Sequence, residues 1–146
     1  AAAGPVGRWR LATHAQGAWI TPAYAAGDFT GSGAMTWTVD AGDVAAFKYC
    51  LSERGLIVTI ALNATSVGGT PSTQLNVLIP AGLLPAGQSF SASFVVLDNS
   101  VTVNTSATGL VSAGNSKIRV SRLDGVAFQA STNQTYVFGT LTLEVQ

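Results

Sequence analysis

Few side chains in this sequence could carry out acid–base or nucleophilic chemistry, and they are scattered along it. His14 is the only histidine and Cys50 the only cysteine in the 146 residues. A Ser–His–Asp triad would have to form around His14, which lies in an Ala- and Gly-rich leader with weak periodicity. A lone cysteine excludes an intrachain disulfide and a CxxC-type zinc site, and Cys50 lies in a strand-like run typical of a buried thiol. We therefore expect no nucleophilic site at either residue.

Carboxylates are the other candidates, because a glycosidase needs two acids that face each other across a cleft. Five of the seven acidic residues occupy ordinary turn positions, namely Asp40, Asp43, Glu53, Asp98 and Asp124. No run of acidic residues has the spacing of a calcium loop, and the Gly-Gly-Thr-Pro stretch at 68–71 lacks the GK[ST] ending of a phosphate loop. The sequence predicts no enzyme, no cofactor and no metal site.

The charge balance argues against two classes of partner. Charged residues make up only 10% of the chain, seven basic and seven acidic, and mean hydropathy is +0.36. The one basic excess, Lys117, Arg119 and Arg122, is short, and alternation places Lys117 and Arg119 on a strand face that favours solvation over anion binding. No window reaches the ~18 uninterrupted apolar residues of a spanning helix. We expect no nucleic-acid binding and no membrane insertion.

The candidate residues are expected to lie on strands and the turns between them. Apolar and polar residues alternate with period two along the chain and never keep helical spacing for three turns. The alternation predicts strands at 35–39, 44–51, 56–62, 73–79, 89–97, 101–104, 116–121, 126–128 and 135–145. The second and third of these form a hairpin. We predict an all-β fold, an antiparallel jelly-roll-like β-sandwich of about 8–10 short strands. Residues 27–146 form this domain, and residues 1–26 form an N-terminal arm or connector.

The last predicted strand separates an aliphatic face from an aromatic one. Its odd-numbered residues from Val137 to Val145 are apolar or glycine, whereas Tyr136 and Phe138 point to the opposite face. Two large aromatic side chains on an outer face need cover. We therefore predict that Tyr136 and Phe138 lie in an interface between copies of the chain.

Two stretches resemble known families. The run DFTGSGAMTWTVDAGD at 28–43, followed by GGTP at 68–71 and LNVLIPAG at 75–82, resembles phage-type virion and prophage-encoded proteins. The stretch NQTYVFGTLTLEV at 133–145 is similar to the final strand of the trimeric C1q and tumour-necrosis-factor jelly rolls. In those families aromatic residues near that strand help to form the packed three-fold axis. The resemblance implies a homotrimeric head, located in a virion or outside the cell.

These observations favour a non-enzymatic binding head, the trimeric tip of a phage tail fibre or spike that recognises a host-surface glycan or protein. Trp9 and Trp19 are candidate ligand contacts because each could stack on a sugar ring, whereas the alternation around Trp37 favours the core. One alternative is a capsid-decoration or tail-assembly protein whose arm laces neighbouring subunits together. The other is a monomeric carbohydrate-binding module of a secreted enzyme.

Overall fold

The computed structural model describes residues 17–52, 55–102 and 107–145, and at 89–93 and 102 it describes the backbone alone. This part of the chain contains eleven strands, three short 3₁₀ turns and no α-helix, which confirms the all-β prediction. The strands are β1 (Trp19–Ile20), β2 (Phe29–Gly31), β3 (Met35–Thr38), β4 (Val44–Ser52), β5 (Gly55–Gly69), β6 (Gln74–Leu78), β7 (Ser89–Asp98), β8 (Val101–Thr102), β9 (Ala107–Val111), β10 (Lys117–Arg122) and β11 (Ser131–Leu143).

All the strands belong to one antiparallel sheet that curls into two layers. Its order is β1-β4-β5-β11-β7-β9-β10-β6-β2, with β3 also paired to β5 and β8 to β7. The bend lies in β7, because residues 95–97 pair with β11 whereas residues 89–94 pair with β9. We define the first layer as β1, β3, β4, β5, β8, β11 and the end of β7, and the second layer as β2, β6, β9, β10 and the start of β7. The result is sandwich-like, as predicted.

The corner in β7 is packed around one phenylalanine. Phe94 is fully buried, and its ring lies against Gly109 of β9 and Gly139 of β11. A Cβ atom at either glycine would lie 2.5 Å from a ring carbon of Phe94. The absence of side chains at these two positions therefore lets the ring fill the corner between the layers.

The core follows the alternation of the strands. On β11 the odd-numbered residues Val137, Leu141 and Leu143 are at most 1% exposed, as the sequence predicts. Trp37 is also buried, at 5% exposure, and its ring meets Phe29 edge-on with centroids 5.8 Å apart. The prediction that Trp37 packs in the core is confirmed.

A buried chain of hydrogen bonds fixes β5 against β11 where their pairing is irregular. The register shifts on both sides of Thr135, and Ala64 and Asn133 adopt positive φ angles of 54° and 55°. Thr65 and Thr135 are both buried. The indole N–H of Trp37 donates to Thr65 Oγ1 (2.9 Å), and this hydroxyl donates to the carbonyl of Thr135 (2.8 Å). Satisfied buried polar groups of this kind specify the register.

Three predictions about the elements need correction or completion. Residues 126–128 do not form a strand, because the N–H of Phe128 donates to a loop carbonyl, Ser72 O, instead of a ladder partner. Strands β1, β2 and β9 were not predicted from the sequence. Within the predicted arm, Trp19–Ile20 pairs with the edge of β4. Residues 1–16 of the arm lie outside the described part of the chain. Residues 103–104, the end of the predicted strand 101–104, lie outside it as well.

Candidate functional site

The outward side of the first layer is a continuous uncharged surface. Across the strands, Phe138 lies opposite Val95 and Ala61, and Thr140 lies opposite Thr59. We term this surface the neutral face. It comprises Val95 and Leu97 of β7, Tyr136, Phe138, Thr140 and Thr142 of β11, Ile57, Thr59 and Ala61 of β5, and Ala46 of β4. The first charged residue in register with it is Lys48, opposite Thr59.

Aromatic and aliphatic side chains occupy one side of the neutral face. The rings of Tyr136 and Phe138 stack with their centroids 6.5 Å apart and an angle of 26° between their planes. Both residues are half-buried, while neighbouring Val95 is 47% exposed. The structure thus brings the two predicted interface residues together on the outer side, as the alternation indicates. Uncharged patches with aromatic centres are the composition of buried interface cores.

Hydroxyl groups occupy the middle of the neutral face and bond to each other. Thr59 Oγ1 and Thr140 Oγ1 are 3.2 Å apart across β5 and β11. Because these groups already have protein partners, covering them with another surface would leave fewer unsatisfied donors than covering solvated hydroxyls. This pair of hydroxyl groups can therefore be removed from water at low polar cost.

Trp19, a predicted ligand contact, lies at the far edge of the same layer. It is 50% exposed, and Lys48 Nζ sits 4.9 Å from its ring centroid, a cation–π contact. Its cross-strand partner is Cys50, whose side chain points outward yet is only 6% exposed. The prediction of a buried thiol is confirmed. The other predicted contact, Trp9, lies outside the described residues, as does His14.

A small apolar cavity of about 240 Å³ lies beside the edge of β4. The hydroxyl of Tyr24 donates to the carbonyl of Val39 (2.7 Å) and closes one side. The lining residues are Thr21, Pro22, Tyr24, Phe29, Ala41, Val44 and Phe47. Ligand pockets usually span about 300–1,000 Å³, so this cavity is smaller than those for drug-sized molecules. None of its lining side chains is ionisable at neutral pH.

Two of the carboxylates meet at a single arginine. Arg122 Nη1 lies 2.6 Å from Asp98 Oδ2, and Arg122 Nη2 contacts Asp124. Asp98 is 2% exposed and also accepts the backbone N–H of Gln129. The hydrogen bond to Arg122 lowers the pKa of Asp124, and the same bond raises the pKa of Arg122. Asp98 and Asp124 are thus both held as ion-pair partners of Arg122, and they fix the loop between β10 and β11. The two carboxylates therefore do not form a free pair for acid–base chemistry.

Three further acids, Asp28, Asp40 and Asp43, belong to 3₁₀ turns. Asp43 accepts the backbone N–H of Asp40 (2.8 Å) in a capping box, in line with the predicted turn. Asp28 ends the 3₁₀ turn before β2, and burial raises its pKa. Sequence reasoning placed Asp98 and Asp124 in separate turns and missed their meeting at Arg122, since no local pattern signals a contact between β7 and the turn after β10.

No match to this chain is found among protein-family models, curated proteins or solved structures.

The described residues offer neither a membrane-spanning helix nor a metal-binding cluster of side chains. Among residues 17–52, 55–102 and 107–145, no helix is long and apolar enough to cross a membrane. The same ranges hold no cluster of three or more His, Cys, Asp or Glu side chains that could bind a metal ion.

Proposed function

We propose that this chain is a non-enzymatic binding head that assembles through its neutral face, as a homotrimer at the tip of a phage tail fibre or similar spike. The observation that carries the proposal is the stacked pair Tyr136 and Phe138 on an outward sheet surface without charge. A solitary domain has no need to keep such a surface, because large exposed apolar patches mark interaction sites.

The dimensions of the neutral face fit the centre of an interface. It spans four strands, or three gaps of about 4.8 Å, and the six residue steps from Tyr136 to Thr142 on β11 at about 3.3 Å each, which gives roughly 14 by 20 Å. A standard specific interface buries about 800 Å² per partner. The neutral face would therefore provide the apolar core, and polar residues around it would provide the rim.

A closed ring of copies suits a face that lies on one side of the domain. Cyclic symmetry repeats one contact and leaves the loops and the second layer of each copy free. The similarity of the last strand to C1q-type jelly rolls supports a three-fold axis near Tyr136 and Phe138. Recognition of a host-surface glycan or protein would then use the surfaces that point away from the axis.

Multi-angle light scattering on the intact chain tests the assembly. We expect about three times the mass of one 14.9 kDa chain, and we expect the double variant Tyr136→Ser with Phe138→Ser to weaken the assembly while keeping the β-sheet circular dichroism signal. The matched control is Leu123→Ser with Val126→Ser, since these aliphatic residues are 52% and 53% exposed on a turn outside the neutral face. The control should remain trimeric.

Two results would contradict the proposal. A wild-type monomer at micromolar concentration would exclude the trimer and favour the carbohydrate-binding-module alternative. An assembly that survives the Tyr136 and Phe138 changes but breaks in the control would place the interface on another surface.

A further inference from the structure

The second layer turns a surface of different character outward. Arg119 of β10 lies between Asn76 of β6 and Leu110 of β9 in the sheet register. We term the outward side of this layer the amide face. Its members are Thr30 of β2, Gln74, Asn76 and Leu78 of β6, Thr108 and Leu110 of β9, and Lys117, Arg119 and Ser121 of β10. It therefore combines two cations with amides, hydroxyls and two aliphatic side chains.

Among the described residues, neither cation on the amide face has an ionic partner. Within the described residues, both ion pairs belong to Arg122, so Lys117 and Arg119 have none. They are two residues apart on one strand and on the same face, about 6.6 Å by strand rise, so their charges repel each other. Asp28, one residue before β2 at the edge of this layer, forms no ion pair with either.

Arg119 is incompletely hydrogen-bonded. Its Nη2 donates to Ser112 Oγ (2.5 Å), but its Nε is buried and, among the described residues, is the one buried side-chain nitrogen or oxygen without a hydrogen-bond partner. A buried donor without an acceptor is costly, and guanidinium presents its N–H groups in a fork that fits a carboxylate. A rotation that carries the guanidinium outward would present its Nε and Nη N–H groups together to an incoming carboxylate and give the Nε the acceptor that it lacks in this rotamer.

We propose that the amide face binds the carboxylate of an acidic sugar, with Arg119 as the bidentate partner and Lys117 as the second positive charge. This assignment rests on the proposed binding role and specifies its ligand. Asn76 and Gln74 can each donate and accept, which suits sugar hydroxyls, and Leu78 and Leu110 offer aliphatic surface to the ring C–H groups. An uncharged sugar would leave the two cations unpaired.

Calorimetric titration of the intact chain, with amide NMR shifts to locate the contact, tests this inference. The probes are D-glucuronate, D-glucose and acetate. We expect glucuronate to bind with a roughly millimolar dissociation constant and to shift amide signals of β6, β9 and β10. Glucose and acetate should bind more weakly, because each supplies only half of the recognised chemistry.

Variants of the chain locate the binding group. Arg119→Gln should weaken glucuronate binding about tenfold or more, since a charge-assisted bidentate contact is lost. Arg119→Lys should also weaken it, because an ammonium group cannot make the forked contact. Lys48→Gln, which removes the same charge from the other layer, should leave binding unchanged.

Several outcomes overturn the inference. They are equal binding of glucose, equal binding of acetate, equal loss in Lys48→Gln, and the absence of binding by glucuronate. These outcomes are independent of the mass measured by light scattering. A trimer that does not bind glucuronate would reject the amide-face site and keep the proposed assembly. A monomer that binds glucuronate would keep the site and reject the assembly.

Discussion

Replacement of Asp98 by Asn tests whether the ion network at Arg122 stabilises the fold. Asp98 is buried at the end of β7 and receives Arg122 Nη1 (2.6 Å) and the backbone N–H of Gln129 (3.0 Å to Oδ1). Asparagine has nearly the same shape and keeps one oxygen for the Gln129 N–H. It loses the negative charge that faces the guanidinium group, so the variant isolates the ionic part of the contact.

The expected loss follows from the burial of the contact. A hydrogen bond to a charged group contributes about 1.5–3 kcal/mol, and breaking a fully buried pair costs about 3–5 kcal/mol. Arg122 retains its contact with Asp124 in the variant, so the lower range applies. We expect about 2 kcal/mol, which for a chain near 150 residues lowers Tm by roughly 4–8 °C.

Thermal unfolding at pH 7, followed by circular dichroism, measures this loss, and Asp124→Asn is the matched control. The Asp124 side chain is 29% exposed, so solvent screens its pairing and its replacement should lower Tm less. The pKa of Asp124 is lowered from 3.8 in the folded chain. Its pairing therefore stabilises the fold above about pH 4 and is lost as pH falls through the lowered value, so Asp124→Asn should flatten the acid limb of the stability curve. A larger Tm loss in Asp124→Asn than in Asp98→Asn would refute this assignment of the buried partner.

Two further predictions concern the corner and the thiol. Gly139→Ala should lower stability by about 1–3 kcal/mol, because its Cβ would lie 2.5 Å from the Phe94 ring; Gly42→Ala, where an added Cβ meets nothing within 4 Å, is the control in chemical denaturation, and equal losses would contradict the steric reason. Cys50 should react slowly with thiol reagents in the folded chain and faster in Trp19→Ala, because Trp19 lies opposite it; unchanged labelling in that variant, or acceleration in Tyr24→Ala, would mean that another group covers the thiol.

Most of the long strands could be predicted from alternation, whereas the short ones could not. Residues 46–49 of β4 and 56–62 of β5 alternate in burial, because one side of each strand faces the core. Strand β1 has two residues and β2 has three, too few for a period-two pattern to emerge. Strand β9 is interrupted by Gly109, which gives no hydrophobic signal because its role is to admit the Phe94 ring.

The candidate site was only partly visible in the sequence for a related reason. Tyr136 and Phe138 could be identified because alternation within one strand places their side chains on the face opposite to that of Val137. Their continuation across β7 and β5 depends on which strands are neighbours, and β11 lies between two strands that are distant from it in the chain. The same holds for Arg119, because its neighbours on the amide face depend on β6 and β9 lying beside β10.

The register of β11 decides which surface the chain presents to partners. Side chains alternate across a strand, so a slip of one residue would bury Tyr136, Phe138 and Thr140 and expose Val137, Leu141 and Leu143. The irregular pairing near Thr135 could permit such a slip, but the Trp37–Thr65–Thr135 hydrogen bonds form in one register only. A slip would leave these buried groups without partners, at a cost of about 1–3 kcal/mol for each group. This buried chain of hydrogen bonds thus holds the neutral face outward, although Trp37, Thr65 and Thr135 do not themselves belong to that face.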